Sequence, residues 1–254
     1  MDTGGRVGIV TGAGAAGTGR AIALRLAREG AALVVADIDQ RGGDETVRRI
    51  EAEGGRAAFV RADMRSADET AAMVALAERT FGRVDILVNN AGWTDPPHFP
   101  EGSPAHWGAT LDLNLRGPML ATQLAIRSMK RIGGGAVVNI SSVAGLGFRP
   151  HDSPEYAAAK AGLIRFTATL APLRERLNVR VNCVVPHWIA TEHVKAAIAE
   201  MIPEERARVP ERLNDPEEIA DAVIEFIRDD DLAGRVMVCW CGEPRRLIDP
   251  ERAE

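Results

Sequence analysis

The sequence predicts an α/β fold: a doubly wound (Rossmann) parallel sheet of about seven strands with helices on both faces. Three observations predict it. Strand-like and helix-like segments alternate from one end of the chain to the other, which is the pattern of successive βαβ units. Strand segments such as "AALVVAD" are continuous apolar runs, as expected of strands buried on both faces. The unusual stretches all fall where a strand ends: "TGAGAAGTG", "DID", "ADM", "NNAG", "SSVAG" and "PHWIAT". Open parallel sheets bind their ligands at those carboxyl ends.

The elements follow in order. "RVGIVTG" reads as a short strand ended by glycine, and helical spacing follows, with Ile22 and Leu26 on one face and Gly30 as the stop. "AALVVAD" is the second strand and ends in Asp37. A charged helix at about 40–53 leads through Gly54-Gly55 to the strand "RAAFVRAD", and a helix at about 67–81 leads to the strand "VDILVNNAG". After the proline-rich loop "TDPPHFPEGSP", one long helical segment is expected over about 104–131, then the strand "GGGAVVNISS". "SPEYAAAKAGLIRFTATLAPLRERL" reads as helical until "NVRVNCVVP" returns to strand. Region 190–212 is polar and weakly patterned. In "DPEEIADAVIEFIRD", Asp215 is placed to cap a helix, Pro216 fits its first turn and Glu218 completes a capping box. "GRVMVCW" is the last strand. No repeat or linker divides the chain, so residues 1–254 are expected to form one domain, with a short substrate segment at about 187–212.

Composition narrows the function. A chain of 254 residues with 46% hydrophobic residues can bury a substantial core. A net charge of -5 argues against nucleic acid as a partner. There is no apolar run of membrane-spanning length and no secretory leader pattern, so no membrane association and a cytoplasmic location are expected. Of the 3 cysteines, Cys239 and Cys241 are two apart, a spacing that puts them on one face of a strand. They read as reduced thiols, and no metal site is expected.

The first glycine loop can be parsed in two ways. Gly12, Gly14 and Gly17 spell G-x-G-x-x-G, whereas Thr11, Gly12, Gly17 and Gly19 spell T-G-x-x-x-x-G-x-G. Either brings backbone N–H groups and a helix N-terminus to a pyrophosphate. Further along, Tyr156 (the only tyrosine) and Lys160 stand four apart in a helical segment and so share a face. An ammonium near a phenol favours the phenolate, which makes the pair a candidate acid/base.

Asn89-Asn90-Ala91-Gly92, Asn114 in "LDLNLRG", "NISS" ending at Ser142, and Tyr156-x-x-x-Lys160 occur in this order after the glycine loop. Together they resemble the short-chain dehydrogenase/reductase family over nearly the whole chain. The resemblance implies Tyr156 as catalytic acid/base and Lys160 on the nicotinamide ribose. It implies Ser142 on the substrate oxygen and Asn114 holding a proton-relaying water. Ser141, one position before Ser142, faces the other way on a strand and is read as structural. Asn114 also has a purely structural reading, satisfying backbone where its helix is disturbed.

The resemblance selects the second glycine parse, with one residue more than the usual loop among Gly14, Ala15 and Ala16. Gly12, Gly17, Thr18, Gly19, Asp63, Met64, Asn90, Ala91, Gly92, Pro186, Ile189 and Thr191 join Tyr156 and Lys160 as expected cofactor contacts. The stretch from Ser142 to Tyr156 is likewise one residue longer than usual. Where the family has Pro-Gly this chain has Pro186-His187, and His187 either touches substrate or faces solvent. Trp93, Phe148, His187 and Trp188 are the candidate substrate residues.

Asp37 points to NAD rather than NADP. A carboxylate at the end of the second strand accepts hydrogen bonds from ribose hydroxyls and repels a 2'-phosphate. At ~4 Å and an effective dielectric of ~20 that repulsion is about 4 kcal/mol. The expected activity is hydride transfer between NAD(H) and a small-molecule secondary alcohol or ketone, as in alcohol dehydrogenases and carbonyl reductases. The alternative is a non-catalytic dinucleotide-binding sensor or scaffold. By the same resemblance the chain is expected to form a homotetramer or homodimer.

Overall fold

A computed structural model of the chain describes residues 1–148 and 150–248; Arg149 and the last six positions of the expected domain lie outside the described residues. Strands β1 (Val7–Thr11), β2 (Ala32–Asp37), β3 (Arg56–Arg61), β4 (Ile86–Asn89), β5 (Gly135–Ile140), β6 (Val179–Pro186) and β7 (Val236–Cys239) are joined by a two-residue β8 (Arg246–Leu247). They form one sheet of order β3-β2-β1-β4-β5-β6-β7-β8. The seven expected strands are all parallel neighbours. The eighth, absent from the sequence reading, pairs antiparallel on the edge of β7. The order reverses between β1 and β4, and a crevice opens above their carboxyl ends.

The strands' two-residue period sorts their side chains into two cores. Val10, Leu33, Val35, Ile86, Val88 and Val184 pack against α1 (Thr18–Arg28), α2 (Gln40–Ala52) and α10 (Pro216–Arg228). Val7, Ile9, Val34, Leu87, Val137 and Val181 pack against α3 (Ala67–Phe81) and α5 (Gly117–Arg131). Cys183 and Val185 of β6 meet Ile164 of α6 (Pro154–Thr169). The helices stop where their ends are satisfied. Ser66 accepts from Glu69 N–H at the start of α3, and Gly82 at φ 84° ends it. Glu218 reaches back to the Asp215 N–H at 2.8 Å, as the capping-box reading requires.

Four local expectations are corrected. The long helix at 104–131 is two helices, α4 (Pro104–Leu111) and α5, joined by a π-type turn over Asp112–Arg116. There Gly117 N–H reaches Asp112 O, five residues back, and the Asn114 amide takes over the freed Thr110 carbonyl at 2.9 Å. The helix after Tyr156 breaks beyond Thr169 and restarts as the short α7 (Leu173–Leu177). Region 190–212, weakly patterned in sequence and given no element there, forms α8 (Glu192–Glu200) and α9 (Pro203–Arg206), with Thr191 capping α8 through Val194 N–H. Its surface helices bury little, so their apolar period is too weak to read. Finally, β7 ends at Cys239, so Cys241 lies in the following turn and does not share a strand face with it; both thiols, like that of Cys183, are free.

Candidate active site

A cavity of about 1350 Å³ lies over the strand ends, lined from Gly12 and Asp37 at one end to Tyr156 and Trp240 at the other. One small-molecule site is typically ~300–1,000 Å³, so this cavity has room for a dinucleotide and a second ligand together. With one exception, every residue expected to act in catalysis or to touch cofactor or substrate lines it. The exception, Asn114, is fully buried beneath it.

The glycine loop is shaped by contacts that only glycine allows. Gly12 has φ 65°, and a Cβ there would lie 2.8 Å from Ala91 Cα. A Cβ on Gly19 would collide with the Gly12 carbonyl, which pairs these two glycines as the second parse requires. Gly17 N-caps α1 and approaches the Thr191 methyl. Asn90 secures the loop by donating to Thr11 O at 2.9 Å and Gly12 O at 3.1 Å. The exposed residues of the loop are Ala15 and Ala16, whereas Gly14 is buried against Asp37. At the next strand end, Asp63 is held in a two-pronged ion pair by Arg65, which keeps its carboxyl below the usual range. Arg65 also lines the cavity and was not foreseen.

At the other end, α6 begins at Pro154 and brings Tyr156 and Lys160 to one face, with Lys160 Nζ 5.5 Å from the centre of the phenol ring. Ser142 lines the cavity beside the phenol, while Ser141 turns inward and donates to Lys160 O at 2.8 Å. Lys160 Nζ donates to Ile140 O at 3.0 Å. Burial pulls this ammonium down to about 8 and pushes the phenol up to about 12, with Ser142 pulling the phenol weakly the other way. The expected lowering of the phenol by its lysine is not found: burial raises it instead. Asn114 donates to Trp93 O at 2.7 Å, but its Oδ1 is buried without a partner. A Cβ on Gly92 would lie 2.7 Å from that oxygen and 2.9 Å from Lys160 Nζ, so only glycine leaves them room.

The substrate candidates differ in exposure. Trp93 meets His193 of α8 edge-on at 4.1 Å, and Phe148 is fully exposed at the rim. Trp188 lines the wall, its carbonyl accepting from Asn214 N–H. His187 faces the cavity, half-buried, with its ring edge-on to Trp240 at 5.0 Å. Burial lowers its imidazole from the ordinary value, so its protonation belongs on the acid side of ~6.5. Replacing His187 with glycine is expected to lower kcat/KM severalfold and leave NADH affinity unchanged; steady-state kinetics and an NADH titration check both. Unchanged kinetics in that variant would assign the ring to packing against Trp240. Trp240, His193 and Arg208 line the cavity without having been singled out. Trp240 was within reach of the strand-end rule, since it directly follows β7; His193 and Arg208 depend on the unread helices of region 190–212.

The geometry defines a parallel-sheet nucleotide crevice joined to a serine–tyrosine–lysine cluster. A family model for short chain dehydrogenases matches residues 6–201. The chain is 38% identical over 227 residues to cis-4-hydroxycyclohexanecarboxylate dehydrogenase of Sinomonas cyclohexanicum, covering 89% of this chain and 90% of that one. It is 37% identical over 231 residues to an uncharacterized oxidoreductase of Thermotoga maritima, covering 88% and 90%. Among solved structures, a 7α-hydroxysteroid dehydrogenase complexed with NADH and 7-oxo glycochenodeoxycholic acid superposes with a TM-score of 0.87 at 31% identity, covering 97% of both chains. The protein belongs to the short-chain dehydrogenase/reductase family of oxidoreductases. Among the described residues, no helix is long and apolar enough to cross a membrane.

Proposed function

We propose that this chain interconverts a secondary alcohol and its ketone using NAD(H), with Tyr156 as acid/base. The observation that carries the reading is the gathering of Ser142, Tyr156 and Lys160 in the same cavity as the glycine loop and Asp37, with Lys160 Nζ 5.5 Å from the centre of the phenol ring. The residues fit a nicotinamide dinucleotide: glycines where a Cβ would block close approach, a helix N-terminus beside them, and the unpartnered Asn114 Oδ1 below. When bound, that cofactor supplies or accepts the hydride. Gly12, Gly17, Thr18 and Gly19 would hold its pyrophosphate, Asp37 its adenine ribose, Asp63 and Met64 its adenine, and Asn90, Ala91 and Gly92 the stretch from there towards Lys160. Pro186, Ile189 and Thr191 would hold its nicotinamide end. In reduction Tyr156 gives its phenol proton to the carbonyl oxygen, and in oxidation it takes the proton from the hydroxyl. Ser142 holds the same substrate oxygen. Lys160 grips the nicotinamide ribose, and Asn114 Oδ1 accepts from a water that resupplies the proton.

The aromatic wall of Trp93, Trp188 and Trp240 favours a ring-bearing, mostly apolar alcohol or ketone, with segment 187–212 forming its outer side. The cyclic substrates named for the Sinomonas relative and the hydroxysteroid dehydrogenase support that choice. No observation favours a non-catalytic sensor. Three free cysteines suit a cytoplasmic protein. A screen for NADH depletion by cyclic ketones, paired with NAD-dependent oxidation of cyclic alcohols, tests the activity. No turnover with any of them would sink it.

Two further expectations follow from the same reading. Asp37→Ser is expected to narrow the preference for NADH over NADPH by about tenfold or more, read from kcat/KM with each cofactor. Equal use of both by the unmodified protein would contradict the choice of NAD. We also expect a closed dimer or tetramer built on α5 and α6, so light scattering should give a multiple of 27.3 kDa.

A further inference from the structure

Gly14, in the stretch of the glycine loop that is one residue longer than usual, has a traceable set of contacts. Gly14 N–H donates to Asp37 Oδ2 at 2.7 Å, and Asp39 N–H donates to Asp37 Oδ1 at 2.9 Å. A Cβ on Gly14 would lie 2.8 Å from Asp37 Cγ and 2.9 Å from Oδ2. Gly14 is itself held from below. The Arg20 guanidinium donates to Gly14 O and, at 3.2 Å, to Gly42 O, while its Nε reaches Thr46 Oγ1 at 2.9 Å. Thr46, fully buried, donates to Ala13 O at 2.7 Å. On the α2 side, a Cβ on Gly42 would lie 2.5 Å from Gly14 O.

We propose that Gly14, braced by Arg20 and Thr46, is a positioning residue that sets the discrimination between NAD(H) and NADP(H) by fixing the Asp37 carboxylate. The inference rests on the reading that Asp37 faces the adenine ribose. A carboxylate accepting one N–H on each oxygen is fixed in rotation, yet each oxygen keeps a lone pair for a ribose hydroxyl. Fixing it beforehand removes an ordering cost from NAD(H) binding. It also holds the negative charge where a 2'-phosphate would lie, and the repulsion falls with distance. The same brace withdraws the nearest loop cation. Arg20 follows Gly19 directly, but its Nε and Nη2 are engaged by a buried threonine and two backbone carbonyls under the loop. Arg20 is not among the residues that line the cavity.

The test is a fluorescence titration of the full-length protein with NADH and with NADPH, for wild type, Gly14→Ala, Arg20→Gln and Asp37→Ser. Thermal melts report folding. The expected result is that Gly14→Ala narrows the ratio of the two Kd values about fivefold or more, by weakening NADH. Arg20→Gln should narrow it in the same direction by a smaller factor, and it serves as the second variant should Gly14→Ala fail to fold. A loop that is merely structural would move both Kd values together and leave the ratio unchanged, which overturns the proposal. Loss of NADPH affinity alone in Arg20→Gln would make the guanidinium a phosphate ligand and also overturn it. If Asp37→Ser narrows the ratio and the folded Gly14 and Arg20 variants do not, only the positioning role falls. If wild type shows no preference and Asp37→Ser changes nothing, the NAD reading falls and takes the positioning role with it.

Discussion

Tyr156→Phe is expected to lower kcat by about a hundredfold to ten-thousandfold while leaving the Kd of NADH within a factor of about three. The phenol oxygen is the atom proposed to carry the proton, and the ring keeps its place over Lys160 without it. Ser142 keeps the bond it accepts from Ala144 N–H at 3.2 Å. Burial pushes the phenol up to about 12, so it stays protonated across the neutral range. That sets a sign for the pH dependence. Reduction, which needs the phenol, should be insensitive to this group near neutrality, while oxidation, which needs the phenolate, should accelerate as pH rises. Stopped-flow single turnovers in both directions would show it. Activity within a few-fold of wild type in the phenylalanine variant would remove Tyr156 from the mechanism.

Lys160→Met is the second large effect expected, with kcat/KM falling about a hundredfold or more. Methionine fills a similar volume without the charge. Burial holds the Lys160 ammonium at about 8, so its charged form predominates below that pH and is lost above it. The wild-type Kd for NADH should therefore rise as pH passes about 8, and that of the variant should not. Stability should move the other way. An ammonium depressed by burial costs folding free energy most fully below its folded value, and the cost disappears above the ordinary lysine range. The methionine variant should melt at a higher temperature at neutral pH, and the gain should vanish in strong alkali. A pH-independent wild-type Kd would argue that Lys160 does not meet the cofactor through its charge.

The elements legible beforehand were those whose sequence records burial. β1, β2 and β4 to β7 are apolar because they are covered on both faces, and α3 and α10 are bounded by caps. Asp37, Tyr156 and Lys160 were legible because each stands at a strand end or at helical spacing. What escaped depends on contacts distant in sequence or on surface helices with a weak apolar period. Arg65 reaches the cavity by chelating Asp63, and His193 enters it through an edge contact with Trp93. The displaced phenol is a related case. Helical spacing shows that Lys160 is near Tyr156, but the balance between charge and desolvation is set by the elements packed around them.

The widened turn at Asp112–Arg116 restricts how the length of this chain can change. Removing any one of its five residues would restore ordinary α-helical bonding, a gain for local folding. It would also rotate the side chains on one side of the cut relative to the other by roughly 100° and shorten the rod by ~1.5 Å. The Asn114 amide would then leave Thr110 O and Trp93 O, and the unpartnered oxygen beneath Gly92 would be turned elsewhere. The deletion a helix absorbs most easily is therefore the one the proposed proton path tolerates least. Over these residues, selection for stability and selection for turnover pull in opposite directions.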